Sequence, residues 1–285
     1  MHTWAPILFA IAAAVLIAAG TVLRQRSSAA SGAITPGWWL GAFIALMGFS
    51  LQATALALGS ILVVQPLLVL AVLFALPMEN WIDKRHLLKS EWLWGTSLVV
   101  GVVLFLLLAR PVSTDRRPDM LSMVITVTVL VVGIIGIVVA AERCQSGHLR
   151  ALSYGLAAGA LFGVSAPLVK AVAFRMIDAP GTLFTHVELY LLLAVVLLAI
   201  IAQQRGFGAG DLQTSFPAMN VMEPAVAMAL GVALLGENIY VTVPTAAFLC
   251  IVAVVASIAV VKLAQDSAIS SERPLHDREA AVELS

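Results

Sequence analysis

The chain runs from Arg26 to Glu79 through 52 residues that include no Asp, Glu, Lys or Arg. A helix that crosses a membrane needs about 20 consecutive apolar residues, so this stretch has room for two such helices. The rest of the chain is similar, since 61% of its 285 residues are hydrophobic and only 11% are charged. A soluble domain carries roughly 25% charged residues and could not bury so much apolar surface. We therefore expect the lipid bilayer to be the solvent and main partner of this protein. The formal net charge of zero gives no indication of nucleic-acid binding.

Charged and turn residues divide the chain into nine apolar spans, each long enough to cross a hydrocarbon core of about 30 Å. These spans are 4–23, 38–58, 61–78, 92–109, 120–141, 151–174, 183–202, 212–236 and 240–261. They predict an all-α integral membrane protein. No Lys or Arg precedes the first span, and Arg24 and Arg26 follow it, so we interpret it as a retained helix and not as a signal peptide.

Basic residues in the loops predict the orientation, because cytoplasmic loops hold the excess of Lys and Arg. Of the 16 Lys and Arg residues, eleven fall on one predicted face and five on the other. The larger set is Arg24, Arg26, Lys84, Arg85, Lys89, Arg143, Arg150, Arg205, Lys262, Arg273 and Arg278. The smaller set is Arg110, Arg116, Arg117, Lys170 and Arg175. We therefore predict a multi-pass plasma-membrane protein with its N-terminus outside and its C-terminus in the cytoplasm.

A repeated pattern groups the spans. Gln65-Pro66 in the third span is followed after twelve residues by Glu79-Asn80. Glu223-Pro224 in the eighth span is followed after twelve residues by Glu237-Asn238. The pattern falls in the third span of each group of four, which indicates an internal duplication.

When an odd number of spans, here one, links two similar four-span halves, the second half must insert in the opposite orientation. We predict two inverted four-helix repeats joined by a linking helix, followed by a disordered cytoplasmic tail. The corresponding ranges are 1–110 for the first repeat, 111–148 for the linking helix and its loops, 149–263 for the second repeat and 264–285 for the tail. Inverted repeats recur in transporters, in which the solute site lies near mid-membrane between the halves.

Glu223 is the one acidic residue near the middle of a predicted span. A carboxylate in hydrocarbon is costly, so it usually faces a cavity or a partner and marks a functional site. Pro224 has no backbone donor and leaves the carbonyl of Asn220 available to bind something else. The alternative is a protonated or paired structural glutamate at a helix kink. Because the equivalent Gln65-Pro66 is neutral, we predict one charged site for a substrate or coupling ion at Glu223. Its predicted surroundings are Asn220, Pro224, Gln65, Pro66 and Gln52.

Other polar residues have both a functional and a structural explanation. Gln52 in the second span either lines a solute path or hydrogen-bonds a neighbouring helix. Lys170 and Glu188 both lie near the predicted outer boundary, where an ion pair between them would gate the outer mouth. The simpler explanation is that Lys170 extends its amine to the interface. We interpret Glu79 and Glu237 as helix-ending and packing residues.

Enzyme signatures are absent from the sequence. It contains no P-loop, no H-E-x-x-H and no G-x-S-x-G, so we expect neither an enzymatic activity nor a cofactor. Cys144 falls in a polar loop and Cys250 inside a span, so we expect neither a disulfide nor a metal site.

Short motifs carry a family resemblance. Leu235-Gly236-Glu237 follows a proline-bearing helix, Pro77-Met78-Glu79 partly repeats it, and the first and sixth spans are rich in small residues. With these features, residues 4–262 resemble the EamA-like proteins of the drug/metabolite transporter superfamily, most of which have ten spans. A chain of nine spans with its N-terminus outside resembles the branch of NIPA-type magnesium transporters. Trp38-Trp39-Leu40-Gly41 and the third span with Gln65-Pro66 also resemble that branch.

The repeat and the resemblance together predict a secondary transporter that moves a small metabolite or drug-like molecule by alternating access. Export and coupling to a proton or another ion are expected. A NIPA-like magnesium transporter is the nearest alternative, although hard cations prefer several oxygen ligands and only Glu223 lies deep. An alternative of another class is a non-transporting membrane subunit of an envelope or lipid pathway. The sequence leaves a homodimer open as a partner arrangement.

Overall fold

The computed structural model describes residues 4–27, 36–83, 89–111, 119–143, 146–208, 212–239 and 241–283. Within these ranges, the description leaves out the side chains at 25–26, 79–80, 82–83, 212–213, 264 and 266–283. The described chain forms ten α-helices and one short 3-10 helix at Pro180–Thr185. The helices are α1 (Ala5–Ser27), α2 (Pro36–Leu58), α3 (Ile61–Leu68), α4 (Ala71–Asp83), α5 (Lys89–Ala109), α6 (Met120–Glu142), α7 (Gly147–Asp178), α8 (Val187–Gly208), α9 (Leu212–Leu235) and α10 (Val243–Glu283).

Nine segments of the described chain are long and apolar enough to cross a membrane, which confirms the predicted number of spans. Some bounds differ from the prediction. α7 begins at Gly147 because the hydroxyl of Ser146 caps its first turn by accepting from the Leu149 N–H. α8 begins at Val187, since the residues before it form the 3-10 helix.

The third span is two helices and not one. Between α3 and α4, the Leu70 N–H donates to the Leu67 carbonyl at 3.1 Å and the Val72 N–H to the Val69 carbonyl at 3.2 Å. These bonds reach back three residues, as in a 3-10 turn. Pro66 has no N–H to give to the preceding turn, which weakens the α-helical ladder just before the break.

Contacts between helix ends define the two faces of the bundle. Glu237, which follows α9, contacts Ser60 between α2 and α3. At the other end, Arg24 near the end of α1 contacts Gln203 near the end of α8. We refer to these two ends as the Ser60 face and the Arg24 face. Which of them lies outside the cell stays a prediction.

Glycines bring helix backbones into direct contact. A Cβ atom added at Gly155, Gly159 or Gly163 of α7 would lie 2.3, 2.4 or 2.6 Å from a backbone carbonyl oxygen of α9. The small-residue stripe of the sixth span therefore packs against the eighth span. α1 and α2 approach in the same way, since a Cβ atom at Gly20 would lie 2.7 Å from the Ala45 nitrogen.

α7 is the central helix and packs against α2, α6, α8 and α9. α6 lies at the edge of the bundle. Met123 and Val127 are its buried residues, a row of half-buried side chains such as Leu130 and Ile134 packs on the core, and most of its remaining apolar side chains are exposed. The helices before and after α6 meet where α3 packs on α9 and where α4 and α5 pack on α10. The inverted repeat stays a prediction, and the side chains of its Glu79-Asn80 element lie outside the described residues.

The helix α10 continues beyond its membrane segment, Val243–Leu263, to Glu283. The backbone of this extension is helical as far as residue 283, and the expected disorder of the tail at 264–285 stays a prediction. Ala, Glu and Arg together make up nine of the 22 residues of this tail and have high helix propensity. Extending an existing helix also requires no new nucleation.

Candidate functional site

A cavity of about 340 Å³ lies between α1, α2, α4, α7, α8 and α9. This volume is in the range of small-molecule sites, roughly 300–1,000 Å³. Arg24, Trp38 and Gln203 line the cavity near the Arg24 face, and Gln52 and Glu223 line it near the middle of α2 and α9. Most of the wall is apolar and includes Ile17, Leu46, Phe49, Val72, Phe162, Val196, Ile200, Phe216 and Met219. The cavity is thus an apolar chamber with a few polar groups. Helices that precede α6 in the chain and helices that follow it both contribute to its wall.

Glu223 supplies a carboxyl group to the wall of this chamber. It precedes Pro224 in α9 and is partly buried. Within the described part of the chain, its carboxylate makes neither a hydrogen bond nor an ion pair. A carboxylate without an internal partner keeps its capacity to accept hydrogen bonds from a cation or donor in the cavity. The structure therefore places this predicted residue in the wall of the chamber.

Two further predicted residues, Asn220 and Gln52, line the same chamber. Asn220 lies one turn before Glu223 on α9, and its Nδ2 donates to the Phe216 carbonyl at 2.8 Å. Gln52 comes from α2 and is 4% exposed. The chamber therefore brings together polar residues that the sequence could only place on separate spans.

The sequence did not predict a polar pair, Arg24 and Gln203, near the Arg24 face. Arg24 Nη1 donates to Gln203 Oε1 at 3.3 Å, and Gln203 Nε2 lies 3.2 Å from the Met219 sulfur. In the sequence, Arg24 reads only as a charge at the end of a span. Ile17, Thr21 and Arg24 are spaced i, i+4 and i+7, which places them on one helix face. This spacing was the available signal that Arg24 faces the interior with its neighbours.

The remaining predicted site residues do not line this chamber. Pro66 and Pro224 border a second cavity of about 210 Å³ between α3, α5, α9 and α10, and Asn220 borders both cavities. Gln65 is buried, and its Nε2 has no hydrogen-bond partner among the described residues. The neutral counterpart of Glu223 therefore lies in packed core.

The predicted gate is wrong in its pairing. Lys170 Nζ lies 2.6 Å from Glu237 Oε1, and Arg175 Nη2 lies 2.8 Å from Glu188 Oε1. Because Lys170 is 3% exposed, the alternative that it extends to the interface is wrong as well. Positions five residues apart lie on different sides of a helix, so Lys170 and Arg175 of α7 meet different neighbours.

The nine apolar spans of the described chain define the class as a multi-pass integral membrane protein, and the bundle encloses a chamber. No protein-family model and no solved structure matches the chain. An uncharacterized protein of Corynebacterium glutamicum is 38% identical to it over 251 residues, which cover 82% of this chain and 86% of the relative. The chain belongs to the same family as this corynebacterial protein. The relative's description states no function, and the resemblance to the drug/metabolite transporter superfamily stays a prediction.

Proposed function

We infer that the protein is a secondary transporter that moves a small organic solute by alternating access, with Glu223 as the carboxylate that binds the solute or its coupling ion. The observation that carries this inference is the chamber itself. It lies within the bundle, has the volume of a small-molecule site, and includes a carboxylate without a partner among the described residues. An acidic residue inside a membrane bundle is costly to keep, which supports a role in binding.

The chamber lies closer to one face than to the other. Its lining residues Arg24, Trp38 and Gln203 are within two turns of helix ends at the Arg24 face. Toward the Ser60 face, the same bundle continues into a packed layer that includes Leu56 and Val164, both fully buried. Alternating access requires a chamber that is closed at one face while it is accessible from the other, so this form supports the proposal.

Transport of a divalent cation has less support. A hard cation such as Mg²⁺ takes about six oxygen ligands, often from carboxylates. Glu223 is the one carboxylate in the described lining of the chamber, and the described residues contain no cluster of three or more His, Cys, Asp or Glu. The aromatic and aliphatic wall instead favours a solute with an apolar body.

The test begins with a thermal-shift screen of the purified protein against metabolites, drug-like compounds and divalent cations, because a ligand of the folded state raises its Tm. The strongest compound is then assayed for flux into proteoliposomes. We expect Glu223→Gln to weaken binding by roughly tenfold or more, since a hydrogen bond to a charged group is worth about 1.5–3 kcal/mol. The same variant should abolish flux while the protein stays folded.

The matched control is Glu142→Gln. Glu142 accepts a hydrogen bond from Tyr154 at the end of α6 and does not line the chamber, so this variant should bind and transport like the parent protein. Full flux in Glu223→Gln would remove Glu223 from the mechanism. A stable complex with another protein, together with no flux of any compound, would favour the non-transporting subunit.

A further inference from the structure

Glu237 is the centre of a buried polar cluster at the Ser60 face. Its Oε1 accepts from Lys170 Nζ at 2.6 Å and from the Ile61 N–H at 3.0 Å. Its Oε2 accepts from the Ser60 hydroxyl at 2.8 Å and from the Leu62 N–H at 3.2 Å. Both carboxylate oxygens are therefore fully used by donors of the protein.

The cluster joins three separate parts of the chain. α7 contributes Lys170, which also donates to the Gly59 carbonyl at 3.0 Å. The α9–α10 connection contributes Glu237, and the α2–α3 connection contributes Gly59, Ser60 and the first turn of α3. We refer to Gly59, Ser60, Ile61, Leu62, Lys170 and Glu237 as the Glu237 cluster. It ties the chain before α6 to the chain after α6.

The cluster is stable only while it is complete. The side chains of Lys170 and Glu237 are 4% and 0% exposed, so neither charge has water as an alternative partner. The positive end of the α3 dipole and its first N–H groups add to the stabilisation of the carboxylate. Separating the charges in a dry environment is strongly unfavourable, because each would be left uncompensated. The cluster therefore favours the closed, dry arrangement, and any opening has to hydrate both charges together.

The cluster lies beyond the closed end of the chamber. Gly59, directly after α2, follows the chamber residue Gln52 by seven positions, and on α7, Lys170 follows the chamber residue Phe162 by eight. These separations correspond to about 10–12 Å along a helix. The intervening parts of α2, α3 and α7 carry fully buried apolar side chains, namely Leu56, Ile61, Val64, Val164 and Leu168.

We propose that the Glu237 cluster is the gate that closes the chamber toward the Ser60 face, and that separation of Lys170 from Glu237 opens it. The proposal deepens the proposed transport function and rests on it for the passage of a solute. Lys170 and Glu237 act here as positioning residues that hold two parts of the bundle together. Neither residue lines the chamber.

The test measures access to the chamber from each face. In a background with Cys144→Ser and Cys250→Ser, the substitution Ala71→Cys places a thiol in the chamber wall. A membrane-impermeant sulfonated maleimide is applied to intact cells and, separately, to inverted membrane vesicles. The thiol should react readily from the Arg24 face and slowly from the Ser60 face. The paired variant Lys170→Gln/Glu237→Gln should raise labelling from the Ser60 face by roughly tenfold or more, since it removes the charges that hold the closed arrangement.

The control is the paired variant Arg175→Gln/Glu188→Gln, which removes an ion pair between α7 and α8. Labelling should stay unchanged in this control. If the Lys170/Glu237 variant does not fold, Ser60→Ala removes one hydrogen bond to Glu237 and should raise labelling in the same direction by a smaller factor. Unchanged labelling from the Ser60 face in the folded variants overturns the gate.

Solute flux reports separately on the proposed function. Increased labelling in the Lys170/Glu237 variant without flux by the parent protein supports the closure and rejects the transporter. Normal flux by the parent protein with unchanged labelling supports the transporter and rejects the gate. The two proposals can therefore fail independently.

Discussion

Two glutamates of the same region, Glu223 and Glu237, show how a residue's surroundings decide its role. Glu237 is fully buried and accepts from four donors, whereas Glu223 is partly buried and has no partner among the described residues. Gly236, with a φ of 65°, ends α9 in a conformation that suits glycine and turns the chain so that Glu237 reaches Ser60. The Glu237 carboxylate, with donors at both oxygens, therefore ties helices together, whereas the Glu223 carboxyl group keeps unused acceptor capacity toward the chamber.

Stability at the residue scale should show that Lys170 and Glu237 are coupled. Lys170→Gln or Glu237→Gln alone leaves one buried charge without its partner, and each should lower the unfolding free energy by about 3 kcal/mol or more. The double variant should lose clearly less than the sum of the two single losses. Thermal unfolding of the four proteins in detergent provides this double-mutant cycle. Additive losses would show that the two side chains do not depend on each other.

At the scale of elements, the packing of α7 against α9 positions the chamber. The three glycines of α7 allow the backbone of α9 to come close, and Gly163 lies against the Glu223 carbonyl itself. The location of Glu223 in the chamber wall therefore depends on small residues in a different helix. A change in α7 is expected to alter the site without touching a polar residue.

Gly159→Ala tests this dependence. The added Cβ would lie 2.4 Å from the Met219 carbonyl oxygen, so α9 must shift. We expect a loss of about 1–3 kcal/mol in stability, as for other overpacked cores, together with weaker solute binding. Thermal unfolding and the thermal-shift response to the solute measure the two effects.

The matched control is Gly133→Ala in α6, where nothing lies within 4 Å of the added atom. It should be neutral or stabilising by about 0.5–1 kcal/mol, because alanine favours the helix over glycine. Equal Tm values for the two alanine variants would contradict the close contact between α7 and α9.

At the scale of the whole molecule, the chamber has one end near the Arg24 face, and a packed layer and an ion pair lie beyond its other end. The direction in which it opens in the cell depends on the orientation of the bundle. The distribution of Lys and Arg predicts that the Arg24 face is cytoplasmic. The end of the chamber near Arg24 would then be its cytoplasmic end.

Two single cysteines test that orientation in the background without native cysteines. Asn238→Cys lies in the exposed α9–α10 connection at the Ser60 face, and Ser146→Cys lies at the exposed start of α7 at the Arg24 face. With a membrane-impermeant maleimide, Asn238→Cys should react in intact cells and Ser146→Cys only in inverted vesicles. The reverse pattern would place the Arg24 face outside.

Much of this architecture could be predicted from local signals. A span of about 20 apolar residues must be helical in lipid, because each backbone donor and acceptor needs a partner within the segment. The nine spans therefore followed from where charges interrupt the sequence. Glu223 could be singled out as a candidate site residue because a carboxylate is rare and costly inside such a span.

The pairing of polar residues could not be predicted in the same way. A helix that is hydrophobic on all sides gives little periodic signal of which side faces its neighbours. The sequence therefore suggested Glu188 for Lys170, whereas the partner is Glu237, 67 positions away along the chain. Arg24 and Gln203, which are 179 positions apart, were missed for the same reason.

The sequence by itself determined the class of protein, the nine apolar spans and the presence of a costly carboxylate, since each of these depends on residues within a single span. Only the tertiary structure decided that Glu223 and Gln52 share a chamber and that Glu237 joins α7 to the start of α3. These features depend on how each helix is rotated about its axis and which helices become neighbours. Packing between helices sets that rotation, and the packing exists only once the bundle has assembled.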